Sequence, residues 1–367
     1  MSEQPGGPAD GAEANGRHRP TSLTLVPTAT ERQSTKDFKS DQEVRWCPGC
    51  GDYAILAAFQ SFLPELDVPR ENLVIVSGIG CSSRFPYYMN NYGMHTLHGR
   101  APSFASGLKV SRPELQVWIV TGDGDALAIG GNHFIHCMRR NLDLKVLMFN
   151  NRIYGLTKGQ TSPTSELGKK TKSTPLGSPD LPFNPPALAL GSGATFVARA
   201  LDAEGAHMGQ VLKGAADHKG SAFVEIYQNC PIFNDGAFTA ITDKAARAEQ
   251  LLRMETGKPL LFGKDNKKGI RFNTQTAELE VVTVGENGVT EKDILVHDAK
   301  REDPTLAFML ANLSLKPGFP TPIGIFRDVR KATADELTWQ QIEDAKAKRG
   351  GASMKKLLSG NDTWVVS

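Results

Sequence analysis

Asp123 sits between two glycines in Gly122-Asp123-Gly124, and 25 residues separate that triplet from a pair of asparagines, Asn150-Asn151. Flanking glycines let a backbone turn sharply and approach a phosphate closely. A helix that starts there points its unpaired N–H groups at an anion. One carboxylate does not hold Mg²⁺ by itself, because that ion takes about six oxygens in an octahedral array and shares them with phosphates and water. Asn151 supplies a neutral amide oxygen, and the loop carbonyl of Ile153 offers a third ligand. A glycine–aspartate–glycine turn is common in isolation. Paired with the two asparagines, each motif following an apolar run, it predicts a diphosphate and metal site.

Four cysteines lie outside that stretch: Cys47 and Cys50 in CPGCG, Cys81 in GIGCSSR and Cys230 in NCPIFND. Thiolates are soft ligands that suit zinc or iron–sulfur clusters. Structural zinc usually pairs two CxxC or CxxH units, and only one CxxC is present. Spacing alone leaves a cluster, zinc and unrelated thiols open. The fifth cysteine, Cys137 in HFIHCMRR, falls on an expected helix and reads as a small packed hydrophobe. His133 and His136 on the same stretch have no carboxylate at a suitable spacing and read as packing or surface residues.

Loops that carry such residues need a frame. The short apolar runs Leu73–Ser77, Val117–Thr121, Val146–Asn150, Thr195–Ala198 and Ala222–Tyr227 read as buried strands. Helical patterns stand between several of them, notably Tyr53–Phe62 and Leu127–Arg140. This alternation predicts an α/β fold, a mostly parallel sheet with helices on both faces. Ligands of such sheets bind at the C-terminal ends of strands, where GIGC, GDG and NN all fall. Residues 41–240 are expected to form this domain. Residues 1–40 are rich in Gly, Pro, Ser, Thr and charge and read as a disordered tail. Residues 162–186 read as a long loop, mobile until something orders it. Residues 241–367 read as a C-terminal extension, with a small β element over 258–298 and helices over 303–315 and 334–348.

A chain of 367 residues can bury a sizeable core. Its formal charge of +2 gives no global argument for nucleic acid. No apolar run approaches the roughly 18–20 residues of a membrane span, and no secretory leader is visible. Five cysteines do not have the spacing of a small disulfide framework. The expectation is a cytoplasmic protein with reduced thiols.

With GDG and NN in place, the sequence resembles the thiamine-diphosphate enzymes. WCPGCGDY, SGIGCSSR, LHGRAPSFASGLK, TGDGDALAIGGNH and FNNRIYGLTKGQTSPTS sharpen this. In order, they resemble the β subunit of 2-oxoacid:ferredoxin oxidoreductases over residues 45–235. The resemblance implies the thiamine-diphosphate-binding fold. It assigns Mg²⁺ to Asp123, Asn151 and the Ile153 carbonyl, and a [4Fe-4S] cluster to Cys47, Cys50, Cys81 and Cys230. It places Cys50, Gly51 and Ser82, then His98 and Gly99, along the cofactor. Gly122, Asp123, Gly124, Asp125, Asn151, Tyr154, Gly155 and Leu156 complete that set. Among these, His98 is also a candidate catalytic residue.

The family oxidatively decarboxylates a 2-oxo acid, hands the acyl group to coenzyme A and sends the electrons through the cluster to ferredoxin. CSSRFPYYMN and HTLHGRAPSFASGLK look most like enzymes of 2-oxoglutarate, with pyruvate or a broad range as alternatives. A distal substrate carboxylate needs a basic partner, for which Arg84 and Lys158 are the candidates. Thiamine activation also needs a carboxylate on the aminopyrimidine ring, carried by a second α/β domain that this chain lacks. The resemblance puts it on an α subunit in an (αβ)₂ heterotetramer. A non-oxidative thiamine decarboxylase or synthase would not need the four cysteines, and an electron carrier would not need GDG and NN.

Overall fold

The protein is described by a computed structural model that places residues 21–351, 353–360 and 362–366. The centre is an eight-stranded sheet. Its strands are β1 (Leu73–Ser77), β2 (Tyr92–His95), β3 (Gln116–Gly122), β4 (Lys145–Asn150), β5 (Phe196–Leu201), β6 (Ala222–Tyr227), β7 (Leu251–Met254) and β11 (Thr321–Asp328). They lie in the order β2-β1-β3-β4-β6-β5-β11-β7. The first six are parallel, β11 runs antiparallel to β5, and β7 is parallel to β11.

The central strands are apolar throughout because both faces are covered, and successive side chains point to opposite sides. Val117 and Ile119 of β3 join Val146 and Met148 of β4 on one face. There they pack on α2 (Ala101–Ser111), α4 (Gly131–Arg140) and α5 (Pro185–Gly191). Trp118, Val120, Leu147 and Phe149 face the other way, onto α1 (Asp52–Phe62) and α6 (Gly205–Asp217). Cys137 lies in the first of these cores, as a packed hydrophobe would.

Three expectations are corrected. Residues 1–20 of the expected tail lie outside the described residues, but Leu23, Val26 and Phe38 are buried against α1 and α6. The helix expected over Leu127–Arg140 is two: α3 (Asp123–Leu127) and α4, broken at Ala128. A Cβ on Gly99 would lie 2.5 Å from the Gly130 nitrogen, so the break lets the loop after β2 press backbone against backbone. The C-terminal part is not an appendage, since β7 and β11 finish the main sheet. The small β element is present as β8 (Leu261–Phe262), β9 (Lys268–Asn273) and β10 (Glu278–Thr283), an antiparallel sheet. Helices at Thr305–Ala311 and Ala334–Arg349 match the other expectation. Among the described residues no helix is long and apolar enough to cross a membrane.

The chain visits β1, β3 and β4 as neighbours, then places β6 before β5. A connection that reverses direction in an open parallel sheet leaves a crevice at the carboxyl ends of the strands. The loops after β1, β3, β4 and β6 carry GIGC, GDG, NN and Gln228–Cys230 to that crevice.

Candidate active site

Two cavities lie side by side there. The first, of about 110 Å³, is lined by Ser82, His98, Gly122, Asp123, Gly124, Asp125, Ile153 and Tyr154, with Asp52 at its wall. The second, of about 240 Å³, is lined by Cys47, Cys50, Cys81 and Cys230. Cys81, Asn151, Gly155, Leu156 and Gln228 line both and form the partition.

Asp123 is 2% exposed and begins α3. Its Oδ2 accepts hydrogen bonds from Ser162 Oγ and Thr164 Oγ1, each at 2.5 Å. Burial pushes its carboxyl up to about 6 despite those two donors. A buried carboxylate of this kind needs a cation to repay its desolvation. Thr164 Oγ1 also lies 2.9 Å from Asn150 Oδ1, placing its one proton between the two acceptors, so the segment after 161 is a strap that ties the two motifs together. Sequence reading took that segment for a mobile loop and missed both hydroxyls. The signal available was the TSPTS that ends the NN-containing block.

Asn151 Oδ1 accepts the Ile153 N–H at 3.1 Å and Asn151 Nδ2 donates to Gln228 Oε1 at 3.0 Å. The amide oxygen keeps a second lone pair for a metal. Asn150 is a strut instead: Nδ2 donates to Glu225 at 2.7 Å, and Glu225 pairs with buried Arg199 at 2.6 Å.

Asp125 organises rather than faces outward. Its Oδ1 accepts the Ile79 and Gly99 N–H groups at 3.1 and 2.7 Å and lies 2.6 Å from His98 Nδ1. Its Oδ2 accepts from Thr121 at 2.6 Å. One carboxylate thus clamps the loops after β1 and β2 onto GDG and orients the half-exposed His98 ring. Tyr154 donates from its hydroxyl to the Gly124 carbonyl at 3.1 Å. A Cβ on Gly124 would lie 2.2 Å from the Tyr154 ring, so this glycine is required by a side chain as well as by a phosphate. Gly51 and Gly99 line neither cavity; a Cβ on Gly51 would strike the Asp202 carboxylate at 1.9 Å.

The cysteine cavity is built from four distant loops. A Cβ on Gly155 would lie 3.6 and 3.7 Å from the sulfurs of Cys81 and Cys230. Gln228 Nε2 donates to Cys50 Sγ at 3.2 Å. Burial pushes the Cys81 thiol up to about 11, helped by the charge of Asp52 and opposed by Arg84. Burial raises Cys50 further. Reactive thiols sit in electropositive, depressed-pKa surroundings, which these are not; a metal would have to displace their protons. No three His, Cys, Asp or Glu side chains among the described residues converge on a single-ion centre. All four cysteines line one cavity instead. Arg84 and Lys158, the expected partners of a substrate carboxylate, line this cavity and not the first.

The first cavity is far below the roughly 300–1,000 Å³ that engulfs a whole ligand, so it is half a site. Exposed apolar side chains surround its loops: Ile79, Leu97, Ile129 and Leu156, with Tyr92 and Met94 on edge strand β2.

Residues 78–226 match the family described as thiamine pyrophosphate enzyme, C-terminal TPP binding domain. The chain is 53% identical over 346 residues to 2-oxoglutarate oxidoreductase subunit KorB of Mycobacterium tuberculosis, covering 93% of this chain and 91% of that one. It is 51% identical over 190 residues to 2-oxoacid:ferredoxin oxidoreductase 1, subunit beta, of Aeropyrum pernix, covering 52% and 60%. A solved 2-oxoglutarate:ferredoxin oxidoreductase from Magnetococcus marinus, with 2-oxoglutarate, coenzyme A and succinyl-CoA bound, superposes with a TM-score of 0.72. Its identity is 32%, over 92% of this chain and 100% of that one.

Proposed function

Because the chain belongs to the β-subunit family of the 2-oxoacid:ferredoxin oxidoreductases, we propose that it forms the thiamine-diphosphate half of a 2-oxoglutarate:ferredoxin oxidoreductase. The reaction is oxidative decarboxylation of 2-oxoglutarate with coenzyme A to succinyl-CoA and CO₂, with electrons leaving to ferredoxin. The observation that carries this reading is the partition. The cavity that holds Asp123 and a four-cysteine cavity share Cys81, Asn151, Gly155, Leu156 and Gln228 as a common wall, the arrangement a two-electron substrate oxidation needs next to a one-electron acceptor.

The residues present fit both groups. Asp123, Asn151 and the Ile153 carbonyl would hold Mg²⁺, and the backbone at the start of α3 would take the diphosphate. Cys47, Cys50, Cys81 and Cys230 would hold a [4Fe-4S] cluster. Sulfurs around a cavity suit a polynuclear cluster better than zinc, which draws four ligands to about 2.3 Å of one point. When bound, thiamine diphosphate supplies the electron sink for decarboxylation and the cluster the one-electron acceptor. The chain's own part is orientation and water exclusion. Ser162 and Thr164 aim Asp123, Asp125 fixes His98 with one ring nitrogen engaged, and Tyr154 closes over Gly124. Arg84 and Lys158, which line the cysteine cavity beside the partition, remain the candidates for a substrate carboxylate.

The half-site and its apolar rim support an α subunit that covers the aminopyrimidine ring; the assembly we propose is a cytoplasmic (αβ)₂ heterotetramer. The test is anaerobic co-purification with that subunit. The complex should retain thiamine diphosphate and about four irons per β chain. It should reduce a viologen dye with 2-oxoglutarate and coenzyme A faster than with pyruvate. Preference for pyruvate would reassign the substrate; turnover by the β chain alone would remove the half-site argument.

A further inference from the structure

The Asn229 carbonyl sets the direction of a short hydrogen-bond chain across the partition. It accepts the Gly51 N–H at 3.1 Å, and the Gln228 side-chain amide reaches it as well. A carbonyl takes only donors, so the end of the Gln228 amide beside it is the nitrogen. The second hydrogen of that nitrogen goes to Cys50 Sγ at 3.2 Å. The oxygen of the same amide then faces Asn151 and accepts its Nδ2–H at 3.0 Å. That turns Asn151 with its own oxygen towards the Ile153 N–H, at 3.1 Å.

Gln228 is held in this pose. It is 1% exposed, and its backbone N–H donates to the Asn150 carbonyl at 3.0 Å. Its stem lies against Gly51, where a Cβ would come within 3.0 Å of the Gln228 Cγ. Flipping either amide would set oxygen against oxygen or nitrogen against nitrogen in a buried place, which costs far more than the bonds contribute. The two ends of the chain belong to different groups. Asn151 is a candidate metal ligand, and Cys50 is a candidate cluster ligand.

This inference rests on the reading of the two cavities as thiamine-diphosphate and cluster sites. We propose that Gln228 is a positioning residue that acts on both sides of the partition. On one side its oxygen turns the Asn151 amide so that an oxygen, and not an NH₂ group, is left for the metal. On the other side its N–H donates to the Cys50 sulfur. Reduction adds negative charge to a cluster, and a donor on a ligating sulfur stabilises that charge, so this bond raises the reduction potential. One neutral side chain thus helps the metal to bind and makes the cluster the better electron acceptor.

The test uses the anaerobically purified αβ complex carrying wild-type Gln228, Gln228→Leu or Gln228→Glu. The readouts are iron content, the midpoint potential of the cluster followed by electron paramagnetic resonance, and calorimetric titration of the stripped complex with thiamine diphosphate over a range of Mg²⁺. Gln228→Leu keeps the length of the side chain and loses both polar ends. Its cluster should be harder to reduce by roughly two- to tenfold in equilibrium constant, tenfold being about 59 mV for one electron. The Mg²⁺ needed for half-maximal cofactor binding should rise by a similar factor, roughly two- to tenfold. Gln228→Glu has nearly the wild-type shape but no N–H, and at pH 8 it adds a negative charge, so its potential should fall at least as far as that of Gln228→Leu. An unchanged potential in either variant overturns the proposal, as does an unchanged Mg²⁺ requirement in Gln228→Leu. Loss of iron from both variants also overturns it, since Gln228 would then only support the cysteine loops. Wild type that holds no iron or binds no thiamine diphosphate overturns the reading of the two cavities itself, a result distinguishable from the others.

Discussion

Removing the two hydroxyls that grip Asp123 should weaken metal-dependent cofactor binding while leaving the fold intact. Ser162 Oγ and Thr164 Oγ1 each reach Asp123 Oδ2 at 2.5 Å, and Thr164 also reaches Asn150 at 2.9 Å. A hydrogen bond to a charged group contributes roughly 1.5–3 kcal/mol, and each 1.4 kcal/mol is tenfold in affinity. Ser162→Ala should therefore weaken Mg²⁺-dependent thiamine-diphosphate binding roughly 10- to 100-fold. Thr164→Val, nearly the same shape but without the donor, should fall in the same range. Both donors share one acceptor oxygen, so the double variant should lose less than the sum, by about 0.5 kcal/mol or more. The measurement is calorimetric titration of the stripped αβ complex at fixed Mg²⁺, with a thermal scan of each variant. A double variant that binds within about twofold of wild type would refute the strap's role. So would a loss of affinity matched by an equal loss of folding stability.

Four further outcomes are expected. Gly124→Ala should displace the Tyr154 ring, which lies 2.2 Å from the new methyl, costing about 1–3 kcal/mol and most cofactor affinity; unchanged thermal stability and binding would contradict the close packing. Serine at Cys47, Cys50, Cys81 or Cys230 should abolish the broad visible absorption and lower the iron content of anaerobically prepared protein, while Cys137→Ser keeps both; full iron in Cys230→Ser would remove that ligand. Asp143 lies 2.8, 3.3 and 3.6 Å from the buried ammonium groups of Lys145, Lys219 and Lys109, so Asp143→Ala should cost about 3–5 kcal/mol in denaturant unfolding. Burial holds His218 below its ordinary value, and its contacts with His218 and Lys300 hold Asp328 low against burial. A depressed histidine binds its proton more tightly unfolded, so stability is lost as pH falls below about 6.5, with Asp328 adding to the loss as pH approaches about 4. His218→Gln should flatten the upper part of that profile in a melting series from pH 7.5 to 5.

The central strands were readable because burial on both faces leaves an unbroken apolar run. β2, with the sequence YGMH and every side chain exposed, carries no such run and was not anticipated. β7 and β11 escaped for another reason. LLRM is too short to declare a period, and β11 starts on a Thr-Pro and bulges between Ile325 and Arg327. At the site, GDG, NN and the cysteines announce themselves because their chemistry needs rare local patterns. Ser162, Thr164 and Gln228 are common residues whose role exists only once β3, β4 and β6 bring them together. Arg84, close to Cys81 in sequence, also lines the cysteine cavity.

The antiparallel pairing of β5 with β11 also governs how the chain must be made. Arg199 pairs with Gly324, so 124 residues are synthesised between these two partners. At roughly 5–20 residues per second, β5 leaves the ribosome about 6–25 s before anything can cover its open side. Throughout that interval the nascent sheet offers a row of unpaired N–H and C=O groups next to an apolar strand, the arrangement that recruits other chains. Slow translation, or a stall before residue 321, would lengthen this exposure. Recombinant yield should therefore respond to expression temperature and to chaperone supply, and chains shortened before β11 should collect in inclusion bodies although every candidate ligand is present in them.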